Sequence, residues 1–375
     1  MAGIYLHIPF CIRKCGYCDF YSITDLSLKD KFVDSLISEI SSRKSEFNEE
    51  QISTIYFGGG TPSLLTKQNL ISILDTIYQY IPKKSVNELT IEVNPDDITP
   101  EFLEELIEIG FNRISIGTQS FNDDILKMMN RRHDAKQAMK TVQLAQKKGF
   151  KNISIDLIYG VPDMSLTDWE SSLNIAVSMN VQHISAYHLT FEKGTPFYSK
   201  LKKGELKEIS DSDSVDQYQK LLEILNRSGF NDYEISNFAQ NGCESQHNSG
   251  YWSGKNYFGF GPGAHSYKNN IRRWNISNLL KYIKNVGSYK SYFSNETLSE
   301  EDRFNELIML GLRTRKGVDM NFLNDNFNSE IWNFFKKEYE IQKIKSNVFI
   351  DNGFLKVCEN KRFITDQIIS DFFKI

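Results

Sequence analysis

Cys11, Cys15 and Cys18 fall within eight residues at the spacing C-x3-C-x2-C, while the other two cysteines, Cys243 and Cys358, lie far away. An odd total of five argues against a disulfide framework, so this clustering calls for a metal or redox explanation. Iron–sulfur clusters are held by cysteine thiolates, usually four. Three thiolates leave one iron of a [4Fe–4S] cluster with an open position. That position suits a ligand offering an amine and a carboxylate, which is how S-adenosylmethionine chelates such a cluster. One electron from the cluster can then break the sulfonium C–S bond. Zinc is the alternative, but structural zinc wants four ligands with paired spacing, and His7 is the residue that could complete the set. Phe10 and Tyr17 beside the thiols would help exclude water.

Further chemistry is spread along the chain. Gly58-Gly59-Gly60-Thr61-Pro62 offers backbone groups that could reach the methionine end of such a cofactor, or only a tight turn. Glu92, Gln119 and Asp156 can hydrogen-bond ribose hydroxyls or an amino group, and Arg131 can pair with a carboxylate. The alternatives are helix capping for the two acids and solvation for Arg131.

These residues need a frame. Six short β-branched or aromatic runs, Ile4–Ile8, Thr54–Phe57, Leu89–Val93, Arg113–Ile116, Ile153–Ile158 and His183–Leu189, are each followed by a helical pattern. Thr99-Pro100-Glu101 opens one helix and Gly110 stops it. Asp134 with Gln137 opens another that ends at Gly149. A Ser27-x-x-Asp30 cap precedes a helix whose Phe32, Val33, Leu36, Ile37 and Ile40 share a face, and another helix is expected near Ser214–Leu225. Such alternation builds a parallel sheet with helices outside it, and six units are too few for an eight-stranded barrel. An α/β fold with an open, partial (β/α)6 barrel follows. The glycines and polar residues collect where the strands end, the rim on which barrel enzymes place their sites.

The barrel is assigned residues 1–230, followed by a Gly-, Tyr- and Asn-rich connecting segment at 231–298 and a mainly helical module at 299–375. Helices over 301–312, 321–326 and 331–341, followed by short runs at Phe354–Val357 and Arg362–Thr365 and a last helix to Phe373, suggest a winged-helix-like module. Residues 300–375 carry 12 Lys/Arg and 13 Asp/Glu, which disfavours nucleic acid as its partner. The whole chain, with 44 Lys/Arg against 48 Asp/Glu, likewise lacks a basic stripe. No apolar run approaches the roughly 20 residues of a membrane span. The N-terminus lacks the pattern of a signal peptide, so a cytoplasmic location, where thiols stay reduced, is expected.

The motifs combine into a resemblance. Tyr5-x-His7-Ile-Pro-Phe-Cys11, the cysteine loop, Gly-Gly-Gly-Thr-Pro, Ile91-Glu92-Val93-Asn94-Pro95, Ile116-Gly117-Thr118-Gln119-Ser120-Phe121 and Ile155-Asp156-Leu157-Ile158-Tyr159-Gly160 resemble the radical SAM family of oxygen-independent coproporphyrinogen III oxidases and the related HemW-type heme chaperones. The resemblance implies a partial radical SAM barrel with a C-terminal helical, winged-helix-like domain. It also implies cofactor contacts at Tyr5, Gly59, Gly60, Thr61, Glu92, Gln119, Arg131 and Asp156.

Within that family three features separate enzyme from chaperone. The oxidases extend the cluster motif to a fourth cysteine, where this chain has Phe20. They also carry a long N-terminal arm, for which Cys11 lies too close to Met1. The chaperones carry H-N-x-x-Y-W, matched by His247-Asn248-Ser249-Gly250-Tyr251-Trp252. A neutral imidazole can ligate heme iron, and Tyr251 and Trp252 can pack on a porphyrin. His247 is therefore the heme-ligand candidate, although a packed core histidine is the plainer reading. His265 is a weaker candidate for the same pocket, and Cys243 another. The resemblance implies heme or porphyrin as ligand, heme-acceptor proteins, among them ones at a membrane surface, as partners, and a flavodoxin or ferredoxin as electron donor if the chain is catalytic. Catalysis, as a coproporphyrinogen dehydrogenase-type oxidoreductase or on another substrate, stays open on the sequence.

Overall fold

The computed structural model describes residues 1–288 and 290–374. Its centre is a run of six parallel strands in chain order: β1 (Ala2–Ile8), β2 (Ile52–Gly59), β3 (Glu88–Val93), β4 (Arg113–Gln119), β5 (Ile153–Tyr159) and β6 (His183–His188). These are the six expected runs, each shifted at its ends by a few residues at most. Their side chains are buried almost without alternation, as in sheets covered by helices. The helices between them start and stop where local chemistry dictates. Thr99 and Asp134 cap Pro100–Ile109 and Ala135–Lys148 through backbone N–H groups, and Gly110 and Gly149 close them in the left-handed conformation. The Ser27-x-x-Asp30 cap does not form. Asp25 instead accepts from the Ser27 N–H and starts a short 3-10 turn, from which helix Lys29–Ser42 continues without a side-chain cap.

The expected connecting segment is itself part of the sheet. β7 (Asn231–Asp232) and β8 (Asn237–Ala239) extend the β6 edge, with β8 antiparallel to β6. On the opposite edge β9 (Tyr257–Phe260) runs parallel to β1, and β10 (His265–Lys268), β11 (Ile271–Asn275) and β12 (Phe293–Thr297) follow by antiparallel pairing. Glycines at 259, 261 and 263 make this stretch look like a loop in sequence. The structure uses Gly259 for close approach, since a Cβ there would stand 2.0 Å from the His265 carbonyl oxygen.

This added edge is pinned by a buried ionic hub on helix Lys29–Ser42. Glu39 and Arg43 pair at 2.8 Å with both side chains almost fully enclosed. Arg43 donates to the Gly259 carbonyl at 2.7 Å. Glu39 accepts from the Gly261 N–H (2.9 Å), Asn275 Nδ2 (2.8 Å) and the Tyr282 hydroxyl (2.6 Å). Every charge in the hub is met, the condition under which buried ions are tolerated.

The C-terminal region has its own apolar core, centred on Phe304, Ile308, Leu323, Ile331, Phe335 and Leu355. Helices Glu300–Leu312, Met320–Asn326 and Ser329–Ile344 surround a small sheet of β13 (Val318–Asp319), β14 (Val348–Asp351) and β15 (Phe354–Val357). The wing therefore pairs Phe354–Val357 with the strand before it. Asn352 and Gly353 both take positive φ, the turn that matches strand twist. The run at Arg362–Thr365 is not a wing strand; Glu359–Ile364 coils into a 3-10 helix. It turns Arg362 into a buried ion pair with Asp232 at 2.9 Å, fastening this region to the barrel. No helix among the described residues is long and apolar enough to cross a membrane.

Candidate cofactor site and the adjoining aromatic cavity

The end of β1 delivers the cysteine loop, and short hydrogen bonds hold the loop's shape. The Cys11 N–H donates to the Ile23 carbonyl at 2.9 Å, the Gly16 N–H to Met129 at 3.0 Å, and Asn130 Nδ2 to the Lys14 carbonyl at 2.8 Å. Cys11, Cys15 and Cys18 line one cavity of ≈ 360 Å³ at the C-terminal rim of the strands. Among the described residues no three His, Cys, Asp or Glu side chains gather around a single ion. Thiolates of a polynuclear cluster each bind a different iron, so sharing one cavity is what a cluster requires. His7 does not join them. Its Nε2 lies 2.8 Å from the Tyr21 carbonyl and its Nδ1 3.1 Å from the Tyr5 hydroxyl, which removes the fourth ligand of the zinc alternative. Tyr17 lines the cavity as expected, but Phe10 turns into the core against Phe32.

The same cavity gathers Gly59, Gly60, Thr61, Glu92, Gln119, Arg131 and Asp156. Gly60 lets the β2 loop touch the cysteine loop, because a Cβ there would lie 2.7 Å from the Phe10 carbonyl oxygen. The Thr61 hydroxyl donates to Cys11 Sγ at 3.6 Å. A register shift between β4 and β5 and a positive φ of 66° at Gln119 mark the strand end from which Gln119 reaches the cavity. Glu92 accepts from the Tyr56 hydroxyl (2.8 Å) and the Gly59 N–H (3.1 Å). Burial raises its carboxyl to about 7 against those two hydrogen bonds, and burial likewise raises Asp156. Arg131 is engaged with Cys15 Sγ at 3.3 Å, Asn94 Oδ1 at 2.8 Å and the Gly117 carbonyl at 2.6 Å. Its Nε and the Nε of Arg113, which also lines the cavity, are buried without partners. Two acids, two arginines with spare donors and three thiols fit a cluster carrying an amine- and carboxylate-bearing ligand. Burial pushes Cys18 up to about 11, and iron would reverse that by binding the thiolate.

Tyr5 does not reach this cavity. It belongs to a second, wider one of ≈ 1400 Å³ between the β1–β9–β10 edge and the C-terminal region. Tyr21, Tyr251, Trp252, Tyr257, Tyr267, Phe322 and Phe327 contribute to its aromatic lining. Lys14, Asp19 and Phe20 of the cysteine loop border both cavities, a contact the sequence did not reveal.

His247 is where the candidate heme motif departs from expectation. Helix Gln246–Trp252 is capped by Ser245, and the Glu88 carboxylate accepts from the Gln246 (2.8 Å) and His247 (3.0 Å) N–H groups. The helix drives His247 into the interior, where Nδ1 meets the Thr54 hydroxyl at 2.8 Å and Nε2 the Tyr251 hydroxyl at 2.8 Å. Burial lowers its pKa to about 3. The ring is neutral, but both nitrogens are committed and it lines neither cavity, so no lone pair is left for iron. Tyr251 and Trp252 do face the wide cavity; Cys243 lines neither.

The sequence matches the radical SAM superfamily over residues 5–176 and the HemN C-terminal domain over residues 298–362. It is 37% identical over 322 residues to the heme chaperone HemW of Bacillus subtilis (strain 168), covering 85% of each chain. The heme chaperone HemW of Lactococcus lactis subsp. lactis (strain IL1403) is 36% identical over 336 residues, covering 89% of this chain and 86% of that one. Among solved structures, coproporphyrinogen III oxidase (HemN) from Escherichia coli superposes with a TM-score of 0.86. It covers 100% of this chain and 90% of that one, at 22% identity, which speaks for the fold alone.

Proposed function

The chain belongs to the HemW heme-chaperone family of the radical SAM superfamily, and from that premise we propose that it binds heme in the wide aromatic cavity and passes it to acceptor proteins. Cys11, Cys15 and Cys18 would hold a [4Fe–4S] cluster in the neighbouring cavity, with S-adenosylmethionine on its open iron. The observation that carries the reading is the shared wall: Lys14, Asp19 and Phe20 place the cluster loop against the large cavity. A cavity of ≈ 1400 Å³ exceeds the roughly 300–1,000 Å³ of ordinary small-ligand sites, and its aromatic lining suits a flat, largely apolar macrocycle.

When bound, the cluster supplies single electrons and a Lewis-acidic iron. The chain's own groups do the rest. Glu92 and Asp156 would accept hydrogen bonds from the amine and hydroxyls of the cofactor. Arg113 and Arg131 offer their unpartnered Nε–H groups, Gly59, Gly60 and Thr61 bring backbone close to its methionine end, and Gln119 adds an amide. Tyr5 acts from behind this group, through its stack on Tyr56, not by direct contact. A flavodoxin- or ferredoxin-type protein would feed the cluster. Acceptors include proteins at the membrane surface. The five unpaired thiols suit a reducing cytoplasm.

The oxidase alternative is not favoured, since Phe20 stands where the oxidases place a further cysteine and the curated relatives above are chaperones. Two anaerobic assays run side by side test the reading: hemin titration, and decarboxylation of coproporphyrinogen III with S-adenosylmethionine and reductant. Stoichiometric hemin binding without decarboxylation is expected. Decarboxylation without heme affinity would overturn it.

A further inference from the structure

The chain has six histidines, and five of them commit ring nitrogens to neighbours. His7, His183 and His247 use both nitrogens. His133 Nε2 lies 3.0 Å from the Thr118 carbonyl, and His188 Nε2 lies 3.1 Å from Ser214 Oγ. His265 has no hydrogen-bond partner among the described residues. It is exposed at the start of β10 and lines the wide cavity, its ring stacked on Trp274 at 6.3 Å and 23°.

We infer that His265, and not His247, is the residue that ligates the iron of heme bound in this cavity. The inference rests on the heme reading above and names its attachment point. Iron needs a lone pair that the protein is not already using, and His265 is the imidazole lining the cavity that has one. Partial desolvation by the cavity wall and the nearby Arg272 hold the imidazole below the usual histidine range, so it is neutral near pH 7. The backbone that carries the ring is also held firmly. Gly259, pinned by Arg43, packs against the His265 backbone, and Ser266 next to it donates to the Gly259 carbonyl at 3.3 Å while its Oγ accepts from the Gly259 N–H at 2.9 Å. A preorganised strand leaves only the side chain's own rotation to be lost on coordination. The cavity also offers cations. Lys14, Lys255, Lys316 and Arg303 line it, and none of them has a carboxylate within ion-pair reach among the described residues, which leaves cations for two propionates. Coordination adds one Fe–N bond and involves no electron or proton transfer.

The test is a hemin titration of the full, cluster-loaded chain, followed by difference absorption in the Soret region and by the iron–imidazole stretch of the ferrous form. The wild-type protein is expected to show the imidazole signature. His265→Ala is expected to lose it and to regain it when free imidazole is added, while His247→Ala keeps it. His265→Asn, which keeps a polar side chain on β10, is expected to lose it as well and covers the case of a misfolded alanine variant. A wild-type chain that takes up no hemin would defeat the heme reading itself. Hemin uptake with the signature intact in both His265 variants, or lost in His247→Ala instead, would overturn the assignment alone.

Discussion

His247 lies face to face with Tyr56, ring centroids 5.1 Å apart and planes within 25°, and the Tyr56 hydroxyl donates to Glu92 at 2.8 Å. The histidine of the chaperone motif is thus linked through one tyrosine to an acid of the cofactor cavity. Its role in this structure is to brace that tyrosine.

Tyr56→Phe should therefore remove one of the two donors that Glu92 has and leave the aromatic stack in place. Loss of a donor to a buried acceptor costs about 1–3 kcal/mol. We expect a drop of that size in urea-unfolding stability together with weaker S-adenosylmethionine binding by calorimetry. Unchanged cofactor affinity would disconnect Tyr56 from the site.

Glu92 gives a pH signature. Its folded carboxyl titrates near 7, above its ordinary value, so the folded state holds a proton that the unfolded chain has released. Stability of the cofactor-free protein should fall as pH rises from about 4.5 to about 7, because the unfolded state binds fewer protons across that window. Glu92→Gln should flatten this slope. Cofactor affinity has the opposite sign: it should strengthen as Glu92 ionises through pH 7, since the carboxylate is the better acceptor for an ammonium group. A variant that retained both slopes would assign them to other groups.

Gly60→Ala tests the contact between the β2 and cysteine loops. Its Cβ would meet the backbone oxygens of Phe10 and Ile8 at 2.7 and 2.8 Å, atoms that cannot rotate away. Overpacking of this kind costs about 1–3 kcal/mol. Thermal melts should show it, and iron content after reconstitution should fall. Full iron loading at wild-type stability would mean that the loops separate at no cost.

Arg362→Ala tests how the C-terminal region is fastened. It leaves Asp232 buried with only Arg315 beside it, at 2.9 Å. Arg315 still donates to Asp232 through two nitrogens, so the loss is smaller than for a stranded charge, about 1–3 kcal/mol. Limited proteolysis between the barrel and the C-terminal helices should accelerate, and hemin affinity should fall because the wide cavity is walled by both. Unaltered proteolysis would show that the apolar contacts suffice.

The sequence by itself determined most of what depends on near neighbours, the Ser27 cap and the run at Arg362–Thr365 excepted. Three cysteines in eight residues, Thr99 and Asp134 as caps, Gly110 and Gly149 as stops and six β-branched runs are local signals, and each is where the residues place it. Tertiary structure decided what depends on partners hundreds of positions away. The fully paired Glu39–Arg43 ions on a helix's buried face, met by residues 259 to 282, have no local signature. Nor do β9 to β12, whose glycines read as loop until β1 supplies an edge. The roles of the histidines separate for the same reason. The sequence ranks His247 above His265 on its motif, but residue type and motif say nothing of whether a nitrogen's lone pair is spent. Only packing commits both nitrogens of His247 to Thr54 and Tyr251 and leaves the His265 ring facing open volume.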